Sequence, residues 1–193
     1  MIAGLILAAG ESSRMGRDKA LLVYRGRTFL ETLFATLREA GLEHIAVVLG
    51  HHAEEIRRAM HLEEAQVVTN PDYRLGQTSS LQAGLRALPS ADLKGIVLCL
   101  VDHPAISVEV IRTLLKCFRQ TSAPLVVPTF GGRRGHPVLI ARSLFKELLD
   151  LGPESGANTV IRKHREVTQF VEVEDSGILL DIDDPETYHR LGG

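Results

Sequence analysis

The stretch from Leu5 to Leu22, LILAAGESSRMGRDKALL, constrains the fold most: an apolar strand runs into a loop of glycine, serine and arginine and ends on Lys19 before an apolar run resumes. Backbone N–H donors and two cations, Arg14 and Lys19, gathered at the carboxyl end of a strand form a cradle for phosphate oxygens, attracted by amide dipoles and by charge. A glycine-rich turn without a ligand is the plainer alternative.

The spacing excludes two common phosphate loops. A Walker loop places four residues between its glycines and follows them with Lys-Ser/Thr; here five residues separate Gly10 from Gly16, and Ala20 after Lys19 offers Mg2+ no hydroxyl. A dinucleotide fingerprint needs G-x-G-x-x-G and an acidic residue roughly 20 positions on, whereas the second strand ends in Leu49-Gly50-His51.

The rest of the chain alternates strands and helices, the pattern of an α/β sheet with crossover helices. Residues 2–8 are too apolar to leave one face wet, so this strand is expected at the centre of the sheet. Thr28 to Glu31 has capping-box spacing, and Leu30, Leu33, Phe34 and Leu37 then share a helical face. Further strands are predicted over 45–49, 66–69, 96–100, 125–129, up to Ala141, 169–173 and 178–180. Helices are predicted over 53–60, from Gln77, over 107–120 and 143–151, and from Pro185 at N1, with Asp184 as its N-cap. The strand 125–129 and the one ending at Ala141, joined through glycines, are expected to be antiparallel, which makes the sheet mixed. With 193 residues and no linker or repeat, the expectation is one domain over 1–193.

Four more places carry chemistry. Asp102, just past the carboxyl end of strand 96–100, sits where open α/β sheets bind ligands, and a carboxylate there is a natural Mg2+ ligand; a turn-former before Pro104 is the alternative. Gln77-Thr78-Ser79-Ser80 opens a helix, where hydroxyls commonly serve as caps. Gly132-Arg133-Arg134-Gly135-His136-Pro137 reads by itself as a hairpin with solvated arginines. Asp181 and Asp183, two apart on an extended segment, face the same way and repel each other unless a cation lies beside them. His103 has no second histidine at ligand spacing on its element and reads as a turn residue.

Taken together, LAAG, S-x-R-M-G and the following lysine resemble the signature of nucleotidyltransferases that activate phosphorylated acceptors. Within them, GQTSSLQAGL, Asp102 before Pro104, GRRGHPV and DIDDPE, in that order, look most like the molybdenum-cofactor cytidylyltransferase branch, a relative of the molybdopterin guanylyltransferases. Relatives usually read Gly-Asp-Gln-Pro or Gly-Asp-Met-Pro where this chain has Val101-Asp102-His103-Pro104, and those using GTP more often carry glycine at the position of Ala9. The resemblance implies a three-layer αβα domain similar to the nucleotide-binding fold of glycosyltransferases, mostly parallel with one antiparallel strand. It implies that Leu7, Ala8, Ala9, Gly10, Arg14, Lys19, Asn70, Ser79 and Ser80 meet the nucleotide. Arg133, Arg134, His136 and Asp181 would meet the acceptor, Asp102 and Asp183 would hold Mg2+, and Arg14, Lys19 and Asp102 would be catalytic.

The implied reaction is transfer of CMP from CTP to the terminal phosphate of a molybdopterin-type cofactor with release of pyrophosphate. A dianionic phosphate acceptor needs no general base, and no nucleophile and base pair stands at informative spacing. The rivals are GTP or another phosphorylated acceptor, such as a sugar or alcohol phosphate, a non-catalytic carrier of the molybdenum cofactor, and a CTP-binding regulator. A molybdoenzyme or its maturation chaperone is the implied protein partner. A net charge of −2 gives no global basic field for nucleic acid or a membrane surface. No apolar stretch reaches about 18 residues, and the expectation is a cytoplasmic protein. The two cysteines, Cys99 and Cys117, lie in apolar and helical runs and read as small hydrophobes.

Overall fold

A computed structural model describes residues 1–12, 15–60, 65–89, 92–152 and 155–191. The strands are β1 (Ile2–Ala8), β2 (Val23–Tyr24), β3 (Arg27–Thr28), β4 (Ile45–Leu49), β5 (Gln66–Thr69), β6 (Gly95–Leu100), β7 (Leu125–Phe130), β8 (Arg133–Arg134), β9 (Val138–Ala141) and β10 (Thr168–Glu172). The helices are α1 (Phe29–Glu39), α2 (Ala53–Ala59), α3 (Gln77–Ala87), α4 (Val108–Thr121), α5 (Phe145–Leu149), α6 (Asn158–Lys163) and α7 (Pro185–Arg190).

The large sheet runs β10-β7-β9-β6-β1-β4-β5, with short β8 paired to β7, while β2 and β3 form a separate ribbon. β1 is central and parallel to both neighbours, with Leu7 opposite Leu100 of β6 and Val48 of β4. β9 runs antiparallel to β6 and to β7, so one reversed strand divides an otherwise parallel path, as the glycine-linked pairing predicts.

Residues alternate between the two faces of β1, β4, β6, β7 and β9, and both faces of these strands are covered. Ile6, Ala8, Val47, Leu49, Val97 and Cys99 pack against Leu30, Leu33 and Leu37 of α1 and Ile111 and Leu114 of α4. Leu5, Leu7, Ala46, Val48, Ile96 and Leu98 pack against Leu81 and Leu85 of α3, Leu148 of α5 and Val160 of α6. Double coverage is why these strands read as continuous apolar runs, and each fully buried Leu or Val contributes about 1.5–3 kcal/mol. Close approach on the second face needs a glycine: a Cβ on Gly84 would stand 2.5 Å from Leu5 Cδ1.

Local signals place the helix starts. Thr28 Oγ1 accepts from Glu31 N at 3.2 Å while Glu31 Oε2 accepts from Thr28 N at 2.9 Å, closing the capping box of α1. Asp184 accepts from Thr187 N at 2.8 Å and Pro185 fills N1 of α7. The predicted strand 178–180 is a correction: Ser176–Leu179 is a 3-10 turn. Asp175 causes it, accepting from Gly177 N at 2.8 Å and from Ser107 N at 3.0 Å, so this backbone is tied to the start of α4 and not to a strand. Ile178 is fully buried, and that burial is what imitates a strand in the sequence.

Cys99 is buried in the core, which pushes its thiol up to about 12, and both cysteines are free. Among the described residues no helix is long and apolar enough to cross a membrane.

Candidate active site

Parallel pairing of β1 with β6 brings their carboxyl ends together, and the loops leaving them wall a cleft of about 280 Å3. Leu7, Ala8, Ala9 and Gly10 form one side, Leu100, Val101 and Asp102 another, and Lys19, Ser80 and Asp183 close it. The crevice beyond the carboxyl ends of central strands is where open α/β sheets bind ligands.

Lys19 stands at the middle. Its ammonium donates to Asp102 Oδ2 at 3.2 Å and is also paired with Asp183 Oδ1, and only 11% of its side chain is exposed. Ser12 Oγ accepts from Lys19 N at 3.1 Å, which fixes where the loop delivers the lysine. Ile182 N donates to Asp102 O at 2.9 Å, so the 181–183 segment is stitched to the turn after β6. Three carboxylates, Asp18, Asp102 and Asp183, line the cleft with Lys19. Asp18 Oδ2 is bonded to His52 Nδ1 at 2.8 Å, a contact that raises the His52 pKa.

Beside Asp102 lies a cluster that is buried and incompletely bonded. Asp102 Oδ1, His103 Nδ1 and His136 Nδ1 are buried without a hydrogen-bond partner. The His103 and His136 rings lie 4.9 Å apart. Burial lowers the pKa of both, that of His136 to about 4, so both imidazoles are neutral near pH 7. Asp181 is raised by burial and by the charges of Asp102 and Asp183.

The structure thus gathers Leu7, Ala8, Ala9, Gly10, Lys19, Ser80, Asp102 and Asp183 at one cleft, with Asp181 and His136 beside it. Arg14 lies outside the described residues. Asn70 and Ser79 stand behind the wall: the buried Asn70 amide donates to Ser79 Oγ at 2.9 Å and to Ser80 Oγ at 3.0 Å, and Ser79 Oγ donates to Gly76 O at 2.8 Å. Gly76 occupies the N-cap of α3 and no side chain caps that helix, so these hydroxyls do not act as the N-cap. Arg133 and Arg134 are exposed on β8, where the Arg134 guanidinium lies 4.7 Å from the centre of the Phe170 ring; neither lines the cleft.

Sequence reasoning missed Ser12, Asp18, Tyr73, Gly76 and Gln77 in the cleft wall and set His103 aside. Tyr73 is the one with a readable signal, a single aromatic in the turn-rich phrase NPDYRLG. Its place depends on Gly50, where a Cβ would meet Tyr73 Cβ at 2.5 Å and Ala9 O at 2.7 Å.

The chain is similar to known proteins along nearly its whole length. "Nicotine blue oxidoreductase" from Paenarthrobacter nicotinovorans is 31% identical over 98% of this chain and 96% of its own length. "Molybdenum cofactor cytidylyltransferase" from Escherichia coli is 26% identical over 95% and 92%. The crystal structure of Rv0371c from Mycobacterium tuberculosis superposes with a TM-score of 0.88 at 31% identity, covering 98% and 96% of the two chains. The same protein has been solved in complex with manganese and matches at 30% identity with a TM-score of 0.84, covering 98% and 97%. The description "MobA-like NTP transferase domain" matches residues 4–167. The chain therefore belongs to the MobA-like NTP transferase domain family and is a nucleotidyltransferase.

Proposed function

We propose that the chain transfers CMP from CTP to the terminal phosphate of a molybdopterin-type cofactor. An acceptor phosphate oxygen attacks the α-phosphorus, the bond from that phosphorus to the β-phosphate oxygen breaks, and pyrophosphate leaves. The acceptor is mostly dianionic at neutral pH, its second pKa being about 6, so no side chain has to take a proton from it.

The observation that carries the reading is Lys19, held between Asp102 and Asp183 at the carboxyl ends of β1 and β6. In this reading the backbone of Leu7 to Gly10 and the ammonium of Lys19, joined by Arg14, hold the β- and γ-phosphates and take up charge on the departing pyrophosphate. Ser80, positioned by Asn70 and Ser79, faces the sugar and base. The Ala9 methyl narrows the base end, which suits a one-ring base better than guanine. His136 and Asp181 border the acceptor side; Arg133 and Arg134, from their exposed hairpin, meet the outer part of a large acceptor.

The donor set fits a divalent cation, because Asp102 Oδ1 is a buried acceptor without a partner and carboxylates 181 and 183 stand near it. Asp102 would hold the ion with a carboxylate of that segment; Mg2+ is the expected ion, and the manganese complex of Rv0371c supports divalent metal use. When bound, such an ion supplies Lewis-acid charge to the phosphate oxygens.

The test incubates the protein with CTP or GTP, Mg2+ and molybdopterin-type cofactor, and identifies the product by mass. The cytosine dinucleotide form plus pyrophosphate is the expected result. A guanine product would reassign the base. No triphosphate consumption by folded protein would overturn the reading and turn attention to the chemistry named for the Paenarthrobacter relative.

A further inference from the structure

The two oxygens of Asp102 have different surroundings. Oδ2 accepts from Lys19, whereas Oδ1 is buried with no partner. His103, the next residue in the turn after β6, is 7% exposed, and its Nδ1 is also buried without a partner. One ring nitrogen of His103 and one carboxylate oxygen each of Asp102 and Asp181 all lie within 4.8 Å of one another. Metal to ligand bonds of about 2.0–2.2 Å put the donors around one ion roughly 3–4 Å apart, so a small inward movement would let these three atoms meet a single cation.

Unsatisfied buried polar atoms are costly. Asp102 Oδ1 and an imidazole lone pair of His103 are both acceptors, as is the exposed Asp181 carboxylate, so one cation placed among them satisfies the two buried atoms together. Asp183 is placed differently: it pairs with Lys19 but does not belong to the group formed by Asp102, His103 and Asp181.

We propose that Asp102, His103 and Asp181 hold the divalent cation, with Asp183 left to position Lys19, and that the imidazole turns the site from Mg2+ toward first-row transition ions. Mg2+ prefers oxygen ligands and keeps several waters, whereas imidazole favours cations later in the first-row affinity order. This deepens the reading above and rests on it only in taking the cleft for a cation site.

The experiment uses the untagged full chain with Mn2+ alone as spectroscopic probe and compares Co2+ and Mg2+ affinities by titration. Pulsed electron paramagnetic resonance is expected to show a nitrogen coupling on bound Mn2+ that disappears in His103→Gln. The same change is expected to weaken Co2+ by about tenfold or more while moving Mg2+ far less. Absence of Mn2+ binding, absence of nitrogen coupling, coupling that survives His103→Gln, or equal losses for Co2+ and Mg2+ would each overturn the proposal.

Should His103→Gln fail to fold by circular dichroism, Asp181→Asn and Asp183→Asn decide the matter. The first is expected to weaken Mn2+ more than the second, and the reverse order or equality overturns the assignment. Nucleotidyl transfer by a chain whose Mn2+ lacks nitrogen coupling removes this inference alone. Nitrogen-coupled Mn2+ in a chain that consumes no triphosphate removes the proposed reaction alone.

Discussion

The ammonium of Lys19 lies 3.2 Å from Asp102 Oδ2, although 83 residues separate the two along the chain. Parallel pairing of β1 with β6 sets this distance: Leu7 stands opposite Leu100, and each strand then runs straight into the loop that carries its charged residue. A cation and an anion from separate loops are fixed to each other by the sheet, before any substrate arrives.

Lys19→Ala is expected to lower turnover by at least tenfold while the protein stays folded. It also leaves Asp102 and Asp183 without their shared cation, so added Mg2+ or Mn2+ should raise the melting temperature of this variant more than that of the wild type. Near-normal turnover, measured as pyrophosphate release, would remove Lys19 from the mechanism.

Carboxylates outnumber cations among the described lining residues of the cleft, so a triphosphate entering without a metal ion meets net repulsion. Calorimetric titration of CTP is therefore expected to show affinity at least tenfold weaker in a chelator than in Mg2+ or Mn2+. Equal affinity in both conditions would contradict a cation-bridged mode of binding.

Ala9 is 5% exposed and lines the cleft. Replacing it with glycine deletes one methyl, and a change of that size in a pocket is worth about 1–3 kcal/mol in discrimination. Ala9→Gly should shift the ratio of kcat/KM for CTP to that for GTP toward GTP by about tenfold. An unchanged ratio would place base selection elsewhere.

The His136 pKa falls from an ordinary 6.5 to about 4 in the folded protein, chiefly through burial. Between these values the unfolded chain binds a proton that the native state refuses. The contribution is therefore fully present above about 6.5 and is lost as pH falls to about 4, amounting to roughly 3 kcal/mol. His103 shifts the same way, while Asp181, whose pKa is raised, works in the opposite sense. Denaturant unfolding across this interval should show stability falling with acid, and His136→Gln should flatten the fall.

Gly50 follows β4, and a Cβ there would collide with backbone, the carbonyl of Ala9 at 2.7 Å, as well as with Tyr73. Gly50→Ala is expected to destabilise by about 1–3 kcal/mol and to raise KM for the nucleotide more than it lowers kcat, because it displaces the cleft wall. A change in stability with KM untouched would show that the loops absorb the methyl elsewhere.

Much of this architecture was legible because local rules and tertiary burial agree. Thr28 and Glu31 announce α1, Pro185 behind Asp184 announces α7, and the unbroken apolar runs of β1, β4 and β6 reflect helices on both sides. Ile178 is the instructive failure, since a fully buried apolar residue in a 3-10 turn has the same local signature as one in a strand. The cleft was legible where a motif marked it, since Lys19 and Asp102 both line it. Local pattern did not show that Asn70 stands behind the wall, bonded to Ser79 and Ser80, or that Arg133 and Arg134 lie exposed outside the cleft.

The sequence by itself determined the alternating plan, the caps and the loop after β1, because those depend on residues within a few positions of one another. Only the tertiary structure decided that Lys19 is shared between Asp102 and Asp183, and that His103, Asp102 and Asp181 stand together. These contacts join segments far apart in the chain, and their distances follow from strand order and register, which no local pattern encodes.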